Sequence, residues 1–163
     1  MQSTPSFRLR AAEPRDTERL IELIAALAGY ERLTHLLEIT PEKLARHLFG
    51  DRPVVEALVA EAGDTLIGFA LFFSNFSTFL GKPGLYLEDL FVLPERRREG
   101  VGRALIEALA RIALERDYGR FEWSVLDWNQ PAIAFYESLG ATILSDWRIC
   151  RIAGPALERF KRD

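Results

Sequence analysis

The sequence predicts an α/β chain of the α+β kind, with one mixed but mostly antiparallel central sheet flanked by helices. Three observations predict it. Two β-rich runs, "VVEALVAEA" and "TLIGFALFFSNF", are separated only by Gly63-Asp64, which is a hairpin signal. Two stretches, from Asp16 to Tyr30 and from Gly100 to Asp117, carry apolar residues at helical spacing. No repeat, low-complexity tract or long Pro/Gly/Ser linker divides the 163 residues, so a single domain over 1–163 is expected.

Taken along the chain, "FRLRAA" alternates at period two and reads as a first strand. Asp16 or Thr17 can cap a helix through Tyr30, with Leu20, Ile24, Leu27 and Ala28 on one face. Thr40-Pro41 opens a second helix, the proline standing where a missing N–H costs nothing. After the hairpin, "GLYLEDLFVL" is a further strand, mostly apolar and so expected centrally. The helix from about Gly100 to Asp117 carries Val101, Leu105, Leu109 and Ile112 in one stripe. "RFEWSVL" is strand-like, and "PAIAFYESLG" is a short helix ending at Gly140, a suitable left-handed cap. "TILSDW" and "RICRIA" read as a closing hairpin.

Composition narrows the partners. With 48% hydrophobic and 28% charged residues and a formal charge of −3, there is no electrostatic case for nucleic acid or an anionic membrane. The single cysteine, Cys150, cannot form an intramolecular disulfide and reads as a core residue rather than a nucleophile. His35 and His47 lack a third ligand nearby and no Cys/His cluster has zinc spacing, so no metal is expected. "MQSTPSFRLR" lacks an apolar signal core and no segment approaches a membrane span, which makes a cytoplasmic protein the expectation.

The arginines must therefore be read locally. In "LEDLFVLPERRREGVGRALIEAL" a strand hands over to a helix through Arg97, Arg98, Glu99, Gly100, Val101, Gly102 and Arg103. A helix N-terminus leaves N–H groups without intrahelical partners and carries partial positive charge, which suits phosphate. Glycine at 100 and 102 removes the Cβ atoms that would block a close approach, and arginine forks match phosphate oxygens. The turn fits a pyrophosphate. It is no Walker A loop, since Arg103-Ala104 follows Gly102, and Leu105 stands where a dinucleotide fingerprint needs its third glycine. A solvated basic loop is the alternative.

Glu88-Asp89 lies inside "LYLEDLFV", apolar on both sides. A buried, unpaired carboxylate is costly and marks a site or a paired partner, against the alternative of ordinary charges at an exposed strand end. Neighbours on a strand point to opposite faces, so both reach one cavity only if a bulge intervenes. Tyr136 in "AFYESL" fits a packed aromatic, and Asn129-Gln130-Pro131 fits a turn and helix start.

The run Arg97 to Gly102 after a strand matches the acetyl-CoA motif Arg/Gln-x-x-Gly-x-Gly/Ala, and "LDWNQPAIAFYESLGA" resembles the asparagine-and-tyrosine segment of the GCN5-related N-acetyltransferase superfamily. Together with "LIELIAALAGYE", "FSTFLGKPGLYLEDLFV" and the Trp147 region, the chain from about Phe7 to Leu157 resembles that superfamily's diamine (spermidine/spermine) N-acetyltransferase family. The resemblance implies that Leu90, Phe91 and Val92 offer strand backbone to the pantetheine arm, and that Arg98 through Arg103 cradle the pyrophosphate of acetyl-CoA. It implies that Asn129 bonds the cofactor's arm, with Gln130, Pro131 and Ala132 beside it. Tyr136 matches the general acid and Glu88 the general base; Tyr30, Glu31 and Asp89 match positions lining the amine site. A homodimer is implied as well. Two departures stand out. Arg98 replaces a glycine found in many members; Ser77, matched to a substrate-binding position, replaces the acidic residue of polyamine-using members and Phe79 their tryptophan, and the serine version resembles the thialysine-type relatives.

The chemistry agrees with those roles. An alkylamine with a pKa around 10.4 arrives protonated at pH 7, so carboxylates must attract the cation and one must take its proton. Glu88 fits as base, with Asp89, Glu31 and Glu122 as attracting charges. Tyrosine, with a pKa near 10, can protonate a departing thiolate. Trp123, Trp128 and Trp147 are expected in packing rather than binding, with an edge of the amine pocket as the alternative place for Trp147. The expected activity is acetyl transfer from acetyl-CoA to a small primary amine, a polyamine or a lysine-like amino acid, by direct attack in a ternary complex. A non-catalytic CoA sensor and a protein lysine or N-terminal acetyltransferase are the alternatives.

Overall fold

A computed structural model describes residues 6–162. The chain forms β1 (Arg8–Ala11), α1 (Thr17–Tyr30), α2 (Pro41–Phe49), β2 (Glu56–Ala62), β3 (Thr65–Ser77), β4 (Lys82–Val92), α3 (Val101–Glu115), β5 (Phe121–Trp123), α4 (Gln130–Ser138) and α5 (Pro155–Glu158). Two compact units result, one ending at Leu126 and the other beginning at Asp127.

The first unit is built on one sheet in the order β1-β2-β3-β4-β5. All neighbours are antiparallel except β4 and β5, which run parallel. Nearly all of β3 from Leu66 to Phe72 is buried, as a strand covered on both faces must be. Phe69 and Leu71 join the cluster made by Leu20, Leu23 and Leu27 of α1 with Leu44 and Leu48 of α2. Helix α3 lies against β2, β3 and β4 and buries Val101, Leu105, Ile106 and Leu109. Arg10 ties β1 to its surroundings through Asp16 at 2.6 Å and Glu61 at 2.9 Å, and this guanidinium holds the Asp16 carboxyl below the usual range.

The start of α1 matches the expected span, with a different chemistry. The Asp16 side chain makes no cap to the helix; it accepts from Arg10 and from the Glu13 N–H, because the stronger charged partner is within reach. Thr40, in contrast, caps α2 as expected, its Oγ1 accepting from the Lys43 N–H at 3.3 Å. Thr40→Ala should lower stability by about 1 kcal/mol. Urea unfolding checks this, and an unchanged midpoint would rule the cap out as a contributor.

The second unit departs from expectation. Helix α4 ends as read, with Gly140 at φ 90° beyond Leu139. The expected closing hairpin is absent among the described residues: 141–153 form no strand, and a short helix follows at α5. Alternating side chains specify which face a strand would bury but not which edge it would pair with, and a ladder needs that edge. Accordingly Ile143, Leu144, Ile149 and Ile152 are exposed, and so is Cys150, which was expected in a strand within the core. Trp128 and Trp147 are exposed too, whereas Trp123 packs on Phe121 with ring centroids 4.8 Å apart.

Candidate active site

The register of β4 decides where its carboxylates go. Asp89 pairs with Leu71 and Leu87 with Phe72, so Glu88 is an extra residue opposite no partner of its own, a β-bulge. Regular pleating would send Glu88 and Asp89 to opposite faces. With the bulge, both line one cavity of about 400 Å³ in the first unit. Its walls are aliphatic: Ile24 of α1, Leu36 and Leu37 of the loop after it, Leu44 of α2, Val54, and Leu71 of β3.

Glu31 completes an acidic group. Helix α1 terminates at Tyr30 with Arg32 left-handed at φ 60°, and the Leu33 N–H returns to the Ala28 carbonyl at 2.8 Å, which fixes Glu31 at the turn. Burial pushes the Glu31 carboxyl up. Asp89 is pushed from 3.8 to about 6, first by burial and then by the charges of Glu88 and Glu31. A carboxylate that feels two others and keeps its proton up to about pH 6 marks a place for a cation. Glu122 is not of this group, since it forms an ion pair with Arg120.

Beyond the bulge, β4 runs on to Val92, whereas β5 pairs only with Leu85, Tyr86 and Leu87. Among the described residues, the edge of Leu90, Phe91 and Val92 turned away from β3 thus has no strand partner in the sheet. An extended polar arm could add there as another strand does. The turn that follows carries a positive φ at Arg98 (67°) and at Gly100 (85°), and no side chain caps α3. Where a Gly100 Cβ would stand there is open space, so a phosphate can come to the helix N-terminus unhindered. The residues present therefore fit a pyrophosphate.

Its arginines divide the work. Arg96 holds Glu99 at 2.8 Å. Arg97 donates through Nε to the Val92 carbonyl at 3.2 Å, with its guanidinium carbon 5.0 Å from the Tyr30 ring centre, so it braces the turn against the acidic cavity's side. Arg98 is exposed, and Arg103 lies a long 3.8 Å from Glu107. Arg98 adopts a conformation in which a side chain is strained. Arg98→Gly should raise stability by about 0.5–1 kcal/mol, and a loss of stability on thermal unfolding would contradict the strain.

In the second unit, Asn129 is buried and caps α4, its Oδ1 accepting from the Ala132 N–H at 3.4 Å. Gln130 reaches back to the Asp127 carbonyl, Pro131 opens the helix, and half-buried Tyr136 lies one turn on, its ring against Phe135. Ser77 is not brought to the carboxylates. It is buried, accepts the Leu80 N–H at the β3–β4 turn, and stands six residues along β3 from Leu71, roughly 20 Å at strand rise. Sequence reasoning missed the aliphatic walls and His47, which also lines the cavity. The available signal was "LTHLLEI", apolar residues outside any periodic element.

Residues 18–141 match the model of the Acetyltransferase (GNAT) family. The L-ornithine N5-acetyltransferase of Arabidopsis thaliana is 35% identical, over 95% of this chain and 88% of its own. The mouse thialysine N-epsilon-acetyltransferase is 34% identical over 95% and 97%. Among solved structures, an integron cassette protein from the mobile metagenome of V. cholerae superposes with a TM-score of 0.79 at 25% identity, over 94% of this chain and 96% of that one. A bulged carboxylate strand, an uncapped glycine turn and these likenesses lead to one conclusion: the chain belongs to the acetyltransferase (GNAT) family and is an acetyl-CoA-dependent N-acetyltransferase.

Proposed function

We propose that the acceptor is the primary amine of a small molecule, in the range from diamines and polyamines to lysine-like amino acids. The observation that carries this reading is the meeting of Glu88 and Asp89 in one small cavity in the first unit, with the Glu31 charge close enough to act on Asp89. The relatives named for ornithine and thialysine support it. Tyr30, Glu31 and Asp89 receive the ammonium group. Glu88 removes its proton, and the neutral nitrogen attacks the thioester carbonyl directly in a ternary complex. The C–N bond forms as the C–S bond breaks, and Tyr136 donates a proton to the departing thiolate. Leu90 to Val92 bond the pantetheine arm, Arg98 to Arg103 hold the pyrophosphate, and Asn129 to Ala132 border the arm. The role read for Ser77 lacks such support, since its hydroxyl serves the hairpin turn.

The reading treats 1–163 as one acetyltransferase domain, because the family match spans residues on both sides of Leu126. It also takes the protein as cytoplasmic and as a homodimer. Exposed Ile149, Ile152 and Trp147, with fully exposed Phe79 at the β3–β4 turn, supply apolar surface for a second copy. Sedimentation should give twice the monomer mass.

The enzymatic test is release of CoA thiol from acetyl-CoA with single amines supplied in turn, for the protein and its Tyr136→Phe variant. Amine-dependent, saturable release that falls at least 10-fold in the variant supports the assignment. Acetyl-CoA binding with no acetylation of any amine would overturn it.

A further inference from the structure

His47 lines the amine cavity, yet the proposed reaction gives it no part. It is half-buried in the last turn of α2. Its carbonyl accepts the Val54 N–H at 3.0 Å and the Val55 N–H at 3.4 Å, which ties that turn to the start of β2. The sheet register sets how far this is from the bulge. Asp89 pairs with Leu71 and Leu71 with Ala57, so β2 runs two strand spacings, roughly 10 Å, from Asp89. The lining that these segments add, Leu44, Val55 and Leu71, is aliphatic.

The charged members of the lining are Glu88 and Asp89 of β4 and Glu38 of the loop before α2. Glu31, at the end of α1, acts on Asp89. Lys43 and Arg46 on α2, and Asp51 and Arg52 after it, are exposed and outside the lining. Lys43 is engaged with the Glu38 carbonyl at 2.7 Å, and Glu56 at the start of β2 with Arg116 at 2.7 Å. Among the described residues, His47 is thus the one member of the lining that can carry positive charge.

Resting on the amine-acetyltransferase reading, we propose that His47 is a specificity-determining residue that reads the end of the acceptor remote from the reacting amine: the neutral imidazole admits a second ammonium group there, and the imidazolium excludes it. A neutral imidazole has one unprotonated nitrogen, which accepts a hydrogen bond from an ammonium group. An imidazolium has donors only and repels a like charge. Histidine changes between these forms in the range of about pH 5 to 8. Every acceptor brings the same reacting ammonium group to the bulge, so protonation of Asp89 weakens them alike. At His47 only the far group differs. Diamines, polyamines and lysine-like amino acids each supply a second ammonium group, and a simple alkylamine does not.

The test compares 1,6-diaminohexane with n-hexylamine, which differ only in the far group, as acceptors at pH 8 and pH 5.5 with acetyl-CoA saturating. The diamine should lead in kcat/KM by about 10-fold at pH 8, and that lead should shrink about 10-fold at pH 5.5. With His47→Gln the ratio should change by less than about 2-fold between the two pH values. With His47→Arg, which is charged throughout, it should stay near or below about one at both. A residue that only held α2 in place would not move this ratio with pH. A wild-type ratio that does not change with pH overturns the inference and leaves the acetyltransferase reading intact. So does a ratio that falls in His47→Gln as it does in the wild type, or a diamine lead kept by His47→Arg. If no amine supports turnover, the same ratios are taken from dissociation constants, by calorimetric titration into the CoA-loaded protein. A ratio that falls with pH in the wild type and not in His47→Gln then supports the role of His47 even as the catalytic assignment falls, and any other pattern overturns it.

Discussion

Glu88→Gln should lower kcat/KM for the amine by about 10²- to 10⁴-fold, the range of a lost general base, and leave acetyl-CoA affinity unchanged. Glutamine keeps the size of the side chain and the bulge, which is set by the pairing of Leu71 with Asp89 and Phe72 with Leu87. What disappears is the group that takes the ammonium proton. An alkylamine near pKa 10.4 is neutral in only about one molecule in 2,500 at pH 7, so the loss should shrink as the pH is raised towards that value. A variant rate that shows no such recovery, or a loss below about 5-fold, would remove Glu88 from the base role. Calorimetric titration with CoA separates these outcomes from a damaged cofactor turn, because the glycine turn lies beyond Val92.

Asp89→Asn should stabilise the protein at pH 7.5 by up to about 3 kcal/mol while weakening the binding of the amine. The sign follows from the raised carboxyl. Asp89 titrates at about 6 in the fold against an ordinary 3.8, so between those values the folded state holds more protons than the unfolded one. Stability therefore falls as pH rises from about 4 to about 6 and stays lower above it. Asparagine removes the ionisation and with it the fall. Urea unfolding of both proteins at pH 4 and pH 7.5 should show curves close together at the lower pH and separated at the higher one. A gap of equal size at both values would show that packing, not charge, is responsible. With the wild type, the KM for the amine should rise below pH 6, as Asp89 takes up its proton and the attraction for the cation weakens.

The site exists at the expense of the fold's own stability. Asp89 lies beside aliphatic walls within reach of the Glu88 and Glu31 charges, and it responds by keeping its proton up to about pH 6. A bound ammonium group would relieve that repulsion, so an acceptor should also protect the protein against unfolding.

Local rules account for much of what was legible in the sequence. The spans of α1, α2, α3 and α4 follow from apolar spacing and from stops such as Gly140, and the β2–β3 hairpin follows from Gly63-Asp64. The glycine turn could be read as a phosphate cradle because helix ends are polar wherever they occur. Glu88-Asp89 could be read as a site because apolar neighbours make paired carboxylates costly.

Other features depended on contacts between distant segments. Whether Glu88 and Asp89 share a cavity rested on one extra residue in β4 relative to β3, which neither strand's own pattern specifies. Asp16 left its capping role because Arg10 reached it, and Arg97 turned to Tyr30 and Val92 rather than simply adding charge to the turn. The segments "TILSDW" and "RICRIA" have the alternation of strands yet form none among the described residues, because alternation supplies a face and not a partner edge. The sequence by itself determined most of the elements and the family, and it singled out the candidate residues for the chemistry. Tertiary structure alone decided which of those residues meet, since register, bulges and long-range ion pairs are properties of pairs of segments and not of either one.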